Sequence, residues 1–206
     1  MKQQSSISSW LADHELELIQ TADYIFQHPE LAYKEELSSK YLSNYLEQQG
    51  FHISKETAGI STAFTAEWGH GKPVLGFLAE YDALAELGHA CGHNLLGTGV
   101  AAAACALKAD MEATGASGTI RVYGCPAEEI MSGKIVMTQQ GVFQDLDVAV
   151  TWHPFDRNRI SNDIWQSQDI KNYTFHGVSA HASRNPENGR SALDAVTLMT
   201  TGTNFL

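Results

Sequence analysis

The middle of the chain alternates strand-length apolar runs with helix-length segments, and this alternation restricts the fold more than any other feature. Val74–Ala79 is a continuous apolar run. Residues 95–111 follow, rich in Ala and Gly, as suits a helix packed closely on a sheet. An apolar strand at 119–125, a helix at 133–140 and a strand at 148–152 complete the series. Continuous apolar runs, as opposed to alternating ones, mark strands covered on both faces. The expected fold is therefore α/β, a mostly parallel central sheet with helices on both faces.

The flanks are read the same way. Trp10, Leu11, Leu16, Ile19, Tyr24 and Ile25 recur at helical spacing and stop at His28-Pro29-Glu30. A second helix is expected over 34–49, with Gly50 as its stop. A strand pair at 51–56 and 61–68 leads to the turn Gly69-His70-Gly71-Lys72-Pro73. From Asp169 the pattern changes to a polar–apolar alternating strand at 170–176, then a helix at 191–201. This predicts two units, residues 1–166 and the start of an α+β second domain at 167–206.

Composition removes several classes of function. The 206 residues carry 13 basic against 24 acidic side chains, a net charge of −11. That balance argues against nucleic acid and against anionic membrane surfaces, both of which need basic patches. No stretch approaches the roughly 20 apolar residues of a membrane span, and the polar start of the chain lacks a signal-peptide core. Cys91, Cys105 and Cys125 are too few and too odd a set for a disulfide framework. The expectation is a soluble cytoplasmic protein with reduced thiols.

The chemistry collects at one rim. In open α/β sheets ligands bind beyond the carboxyl ends of the strands. The first central strand leads into Glu80-Tyr81-Asp82 and on to Gly88-His89-Ala90-Cys91-Gly92-His93-Asn94. The second leads into Pro126-Ala127-Glu128-Glu129, and the third into Trp152-His153-Pro154. Thiolate and imidazole are ligands suited to zinc and similar transition metals. Cys91 and His93 also fit a buried thiol beside a hydrogen-bonded core histidine, and His153 fits a core position equally well. Glu128 and Glu129 read either as a solvated turn or as a metal ligand beside a general base. His89 is a partner of the cluster or a ligand. His181, in Gly177-Val178-Ser179-Ala180-His181-Ala182-Ser183, is a surface turn or a donor to a developing oxyanion. His28, His52 and His70 read as structural, and Cys105 and Cys125 as core thiols.

These runs, together with Leu78-Ala79-Glu80-Tyr81-Asp82-Ala83-Leu84 and Tyr123-Gly124-Cys125-Pro126-Ala127-Glu128-Glu129, resemble the M20 family of metallo-aminoacylases and carboxypeptidases, in particular its amidohydrolase branch. Residues 189–206 resemble its aminobenzoyl-glutamate-hydrolysing members. The resemblance implies a hydrolase with two divalent metal ions, zinc or manganese. It would cleave the amide of an N-acyl amino acid, such as p-aminobenzoyl-glutamate or a dipeptide. Cys91, His93, Glu129 and His153 would be metal ligands, Glu128 the general base, and Asp82 the residue orienting the site. His181 would be the lid-domain histidine that reaches the oxyanion, often in the partner subunit of a homodimer or of a heterodimer with a sister subunit. Residues 1–166 would be the N-terminal part of the catalytic domain and 167–206 the start of a lid or dimerisation domain. The relatives usually carry a glycine pair where this chain has Ile130-Met131. They also run to about twice its length, so an N-terminal portion is expected. The competing expectation is a catalytically incomplete fragment that acts only as a metal-binding or association module.

Overall fold

The computed structural model describes residues 6–130, 132–160, 167 and 169–206. The chain divides into two units, Met1–Asn158 and Arg159–Leu206. The expected division at 166/167 falls beside residues 161–166 and 168, which lie outside the described residues, as does Met131.

In the first unit, helices α1 (Ser6–Asp13), α2 (Glu15–Gln27) and α3 (Glu36–Gln48) precede strands β1 (His52–Lys55), β2 (Phe64–His70) and β3 (Val74–Ala79). Helix α4 (His93–Thr114), strand β4 (Gly118–Gly124), helix α5 (Gly133–Gln139) and strand β5 (Val148–Val150) complete it. The single helix expected up to His28 is divided at His14, whose ring bonds the Trp10 carbonyl at 2.8 Å and stacks on the Trp10 indole. No Gly or Pro marks this break in the sequence.

The five strands lie in the order β1-β2-β4-β3-β5. β4, β3 and β5 are mutually parallel, while β2 runs antiparallel to β1 and β4. Four of the five strands therefore point the same way. β5 is fastened at its entry by Asp147, whose amide bonds the Val74 carbonyl and whose carboxylate accepts the Val74 N–H at 2.7 Å.

Alternation along β4 separates two cores. Ile120 and Val122 face one side, packed with Phe77, Leu96, Val100, Leu42 and Leu46; Tyr123 faces the other, with Met137, Ile60 and Phe143. Helices therefore cover both faces of the sheet. The Ala/Gly composition of α4 has a direct geometric reason. A Cβ on Gly97 would lie 2.5 Å from the Glu80 carbonyl oxygen, so only glycine lets the first turns of α4 approach the end of β3. Leu46 is wholly buried in the first core. Leu46→Ala is expected to cost about 2–5 kcal/mol in a urea titration, the transfer loss plus a residual cavity.

The second unit contains helix α6 (Ala192–Thr203), capped by the Ser191 hydroxyl accepting the Asp194 N–H at 3.0 Å. The strand expected at 170–176 does not form. Among its described residues the unit shows one isolated bridge, between Val178 and Arg190. Alternation favours an extended backbone, but a strand also needs a neighbour, and among the described residues none pairs with this segment. Leu193 and Leu198 on α6 are exposed. Among the described residues no helix is long and apolar enough to cross a membrane.

Candidate metal centre

The three parallel strands end side by side, and the groups that follow them meet around His93. This residue opens α4, and its ring is fully buried. Its Nδ1 lies 2.9 Å from Asp82 Oδ1, the residue three positions beyond β3. That contact makes Nδ1 the protonated nitrogen and leaves Nε2 with its lone pair free. Nε2 faces Glu80 Oε2 at 3.2 Å and Glu128 Oε2 at 3.7 Å, yet it is buried without a hydrogen-bond partner.

Cys91 and His153 stand on the adjoining side. Cys91 Sγ is 3.4 Å from His153 Nε2, and the rings of His93 and His153 meet edge to face at 5.7 Å. Among the described residues, ligand atoms of Cys91, His93 and His153 lie within 4.8 Å of one another, as do those of Glu80, His93 and Glu128. Glu129 presents a buried Oε1 without a hydrogen-bond partner, 3.8 Å from His93 Nδ1, while its backbone N–H donates to Asp82 Oδ2 at 2.8 Å.

Two residues here were not singled out from the sequence. Glu80 is buried and ion-paired with Lys134 of α5. Glu80 lies in the acidic run after β3, but a single basic residue such as Lys134 in a short helix carries no signal. His89 is buried beside the cluster but falls in neither ligand group. Cys105 and Cys125 are buried in the two cores, in keeping with their reading as packed thiols. In the second unit, His181 Nδ1 accepts from the Ser183 N–H at 3.2 Å and lies 3.1 Å from its hydroxyl. With Nδ1 accepting, the proton of the neutral ring sits on Nε2.

The electrostatics of the cluster are those of an anionic pocket. Burial and the carboxylates of Glu129, Glu128 and Glu80 push the Cys91 thiol up to about 11. Burial, with Asp82 and Glu128, raises Glu129 against the pull of His93. Burial opposes the imidazolium of His93, but the Asp82 hydrogen bond and the carboxylates of Asp82, Glu80 and Glu129 outweigh it and raise its pKa. Converging carboxylates, a thiol held protonated, and a buried imidazole nitrogen with no partner make a donor set that a divalent cation fits. A carboxylate behind a ligating histidine fixes its tautomer in the same way.

The turn carrying both glutamates is closed by backbone. Ser132 N–H bonds the Ala127 carbonyl at 3.1 Å, and a Cβ on Gly133 would sit 1.7 Å from the Pro126 carbonyl oxygen. Gly133→Ala is therefore expected to force the turn open, costing more than about 3 kcal/mol by the measure of overpacked sites. Thermal unfolding of the purified variant checks this.

Residues 76–190 match the model of peptidase family M20/M25/M40. The chain is 47% identical over 202 residues to one of the subunits of the Escherichia coli p-aminobenzoyl-glutamate hydrolase, covering 90% of this chain and 42% of the relative. It thus spans less than half the length of that protein. An aminobenzoyl-glutamate utilization protein from Klebsiella pneumoniae shares the fold, with a TM-score of 0.64 at 20% identity over 93% of this chain and 58% of that one. So does a Bacillus subtilis protein described as a dinuclear metal binding peptidase, with a TM-score of 0.57 at 24% identity over 67% and 42%. The family match covers more than half the chain and includes every residue of the His93 cluster, and the chain belongs to peptidase family M20/M25/M40.

Proposed function

We propose that this chain supplies the metal-binding part of an amidohydrolase that cleaves N-acyl amino acids, p-aminobenzoyl-glutamate or a dipeptide among them. The observation that carries the reading is His93 Nε2, buried, without a hydrogen-bond partner, and surrounded by Glu80, Glu128, Cys91 and His153. Cys91, His93, Glu129 and His153 would hold two divalent ions, zinc or manganese. Held there, such ions would supply Lewis-acid polarisation of the amide carbonyl and a more acidic water. Asp82 keeps His93 in the ligating tautomer. Glu128, at the solvent-accessible side of the cluster, takes the proton from the attacking water and returns it to the leaving amine. Residues 1–166 form the catalytic part and 167–206 the start of a lid. The Nε2–H of His181 is the donor the lid offers to the oxyanion, within a homodimer or a heterodimer with a sister subunit, in the cytoplasm. Similarity to the p-aminobenzoyl-glutamate hydrolase and to the dinuclear peptidase supports the substrate class and the metal count.

Metal content by mass spectrometry, on protein purified without chelator, tests this reading. About two ions per chain, reduced in Cys91→Ala, is the expected result. A protein that takes up no divalent metal, even on titration, would sink it and leave an association module.

A further inference from the structure

Glu35 is fully buried, although it stands in the polar run Lys34-Glu35-Glu36. No cation is paired with it among the described residues. Instead, three donors converge on its carboxylate. Oε1 accepts the Tyr33 N–H at 2.9 Å and the Ala127 N–H at 2.8 Å, and Oε2 accepts the Thr62 hydroxyl at 2.9 Å. Tyr33 and Ala127 both hold left-handed backbone, at φ 61° and 59°, which side-chain-bearing residues rarely adopt. One oxygen therefore gathers two strained amides from segments far apart in sequence.

Those amides bear on the site. Ala127 immediately precedes Glu128 and Glu129, and the Tyr33 hydroxyl meets the Ser132 hydroxyl at the far end of the same turn. The Thr62 carbonyl accepts the Tyr81 hydroxyl at 2.6 Å, and Tyr81 lies between Glu80 and Asp82. Thus the turn is held at Ala127 by Glu35, at Glu129 by Asp82 and at Ser132 by Tyr33. A buried carboxyl is costly unless donors satisfy it, and here they come from the scaffold of the site.

We propose that Glu35 is a positioning residue for the Glu128–Glu129 turn, acting through the backbone amides it gathers and not through its charge. Its consequence for metal rests on the function proposed above; its consequence for the turn does not.

The test compares Glu35→Gln, Glu35→Asp and Glu35→Ala in the full chain by amide hydrogen exchange and by titration with Co²⁺. Gln keeps the acceptor at the same reach without the charge; Asp keeps the charge but is a methylene too short to reach Ala127. Glu35→Gln is expected to exchange and bind as the wild type does. Glu35→Asp is expected to raise exchange over 127–130 alone, and to weaken Co²⁺ by about tenfold or more, as lost support of metal ligands does. Uniform exchange increases across the sheet and α4, or a Gln variant as impaired as Asp, overturn the proposal. If Glu35→Ala fails to fold, the Gln and Asp pair still decides. If the wild type takes no Co²⁺, the metal reading falls, and the exchange pattern alone decides the role of Glu35.

Discussion

Replacing His93 by alanine is expected to destabilise the metal-free chain by about 3–5 kcal/mol, the loss typical of removing one partner from a buried charged pair. The ring touches Asp82 at 2.9 Å, Glu80 at 3.2 Å, Glu128 at 3.7 Å and Glu129 at 3.8 Å. Its removal leaves the buried Asp82 and Glu80 and the partly exposed Glu128 and Glu129 carboxylates facing one another with no imidazole between them. The loss depends on pH with a definite sign. The folded pKa of His93 is raised above its ordinary 6.5 and that of Glu129 above 4.5. A raised folded pKa means stability that is full below the ordinary value and is lost as pH rises through the folded one. With chelator present, the wild type should therefore be more stable in mild acid than above neutrality. Bound metal reverses the slope, because ligands must release protons to coordinate it. Urea titrations at several pH values, with and without chelator, measure both effects. A His93→Ala chain as stable as the wild type throughout would show that the cluster holds no net charge pairing.

The legible parts of this chain were those whose pattern is set locally. β3 was readable to the residue because a strand buried on both faces must be continuously apolar, and β4 was readable to within one residue for the same reason. The rim followed from topology: parallel strands deliver whatever follows them to one edge, and Cys91, His93, the two glutamates and His153 do meet there. Features that depend on a distant partner were hidden. The alternation at 170–176 reads as a strand, but a strand is a relation between two segments. Glu35 reads as solvated because its neighbours are charged; only the fold brings Thr62 and Ala127 to it. Glu80 and Lys134 form an ion pair across 54 residues. The break at His14 is a local departure of its backbone, at φ −109° and ψ 8°, with the ring adding a second contact to the Trp10 carbonyl, and the periodicity of apolar residues does not register it.

Glu128→Gln is expected to lower kcat by about 10²–10⁴-fold, the contribution of a positioned general base, when the protein is assayed in a form that turns over p-aminobenzoyl-glutamate. Glutamine keeps the shape and the acceptor oxygen but cannot take up a proton. Metal content and KM should change little, since only an interaction made in the transition state is removed. The prediction also separates two roles the geometry allows. Glu128 Oε2 shares a ligand-sized space with Glu80 and His93, so this carboxylate is within reach of coordinating an ion as well as holding a water. Its side chain is 35% exposed, whereas that of Glu129 is 15% exposed with a buried oxygen that lacks a hydrogen-bond partner. A ligand belongs in the drier position, where its charge meets the ion without competing water; a base needs access to solvent so that its proton can leave. That contrast favours the proposed roles, coordination for Glu129 and proton transfer for Glu128, although Glu129 lies outside both ligand-sized groups found among the described residues. Metal lost from Glu128→Gln together with activity would reverse the assignment, and Glu129→Gln would then be the variant that keeps its ions.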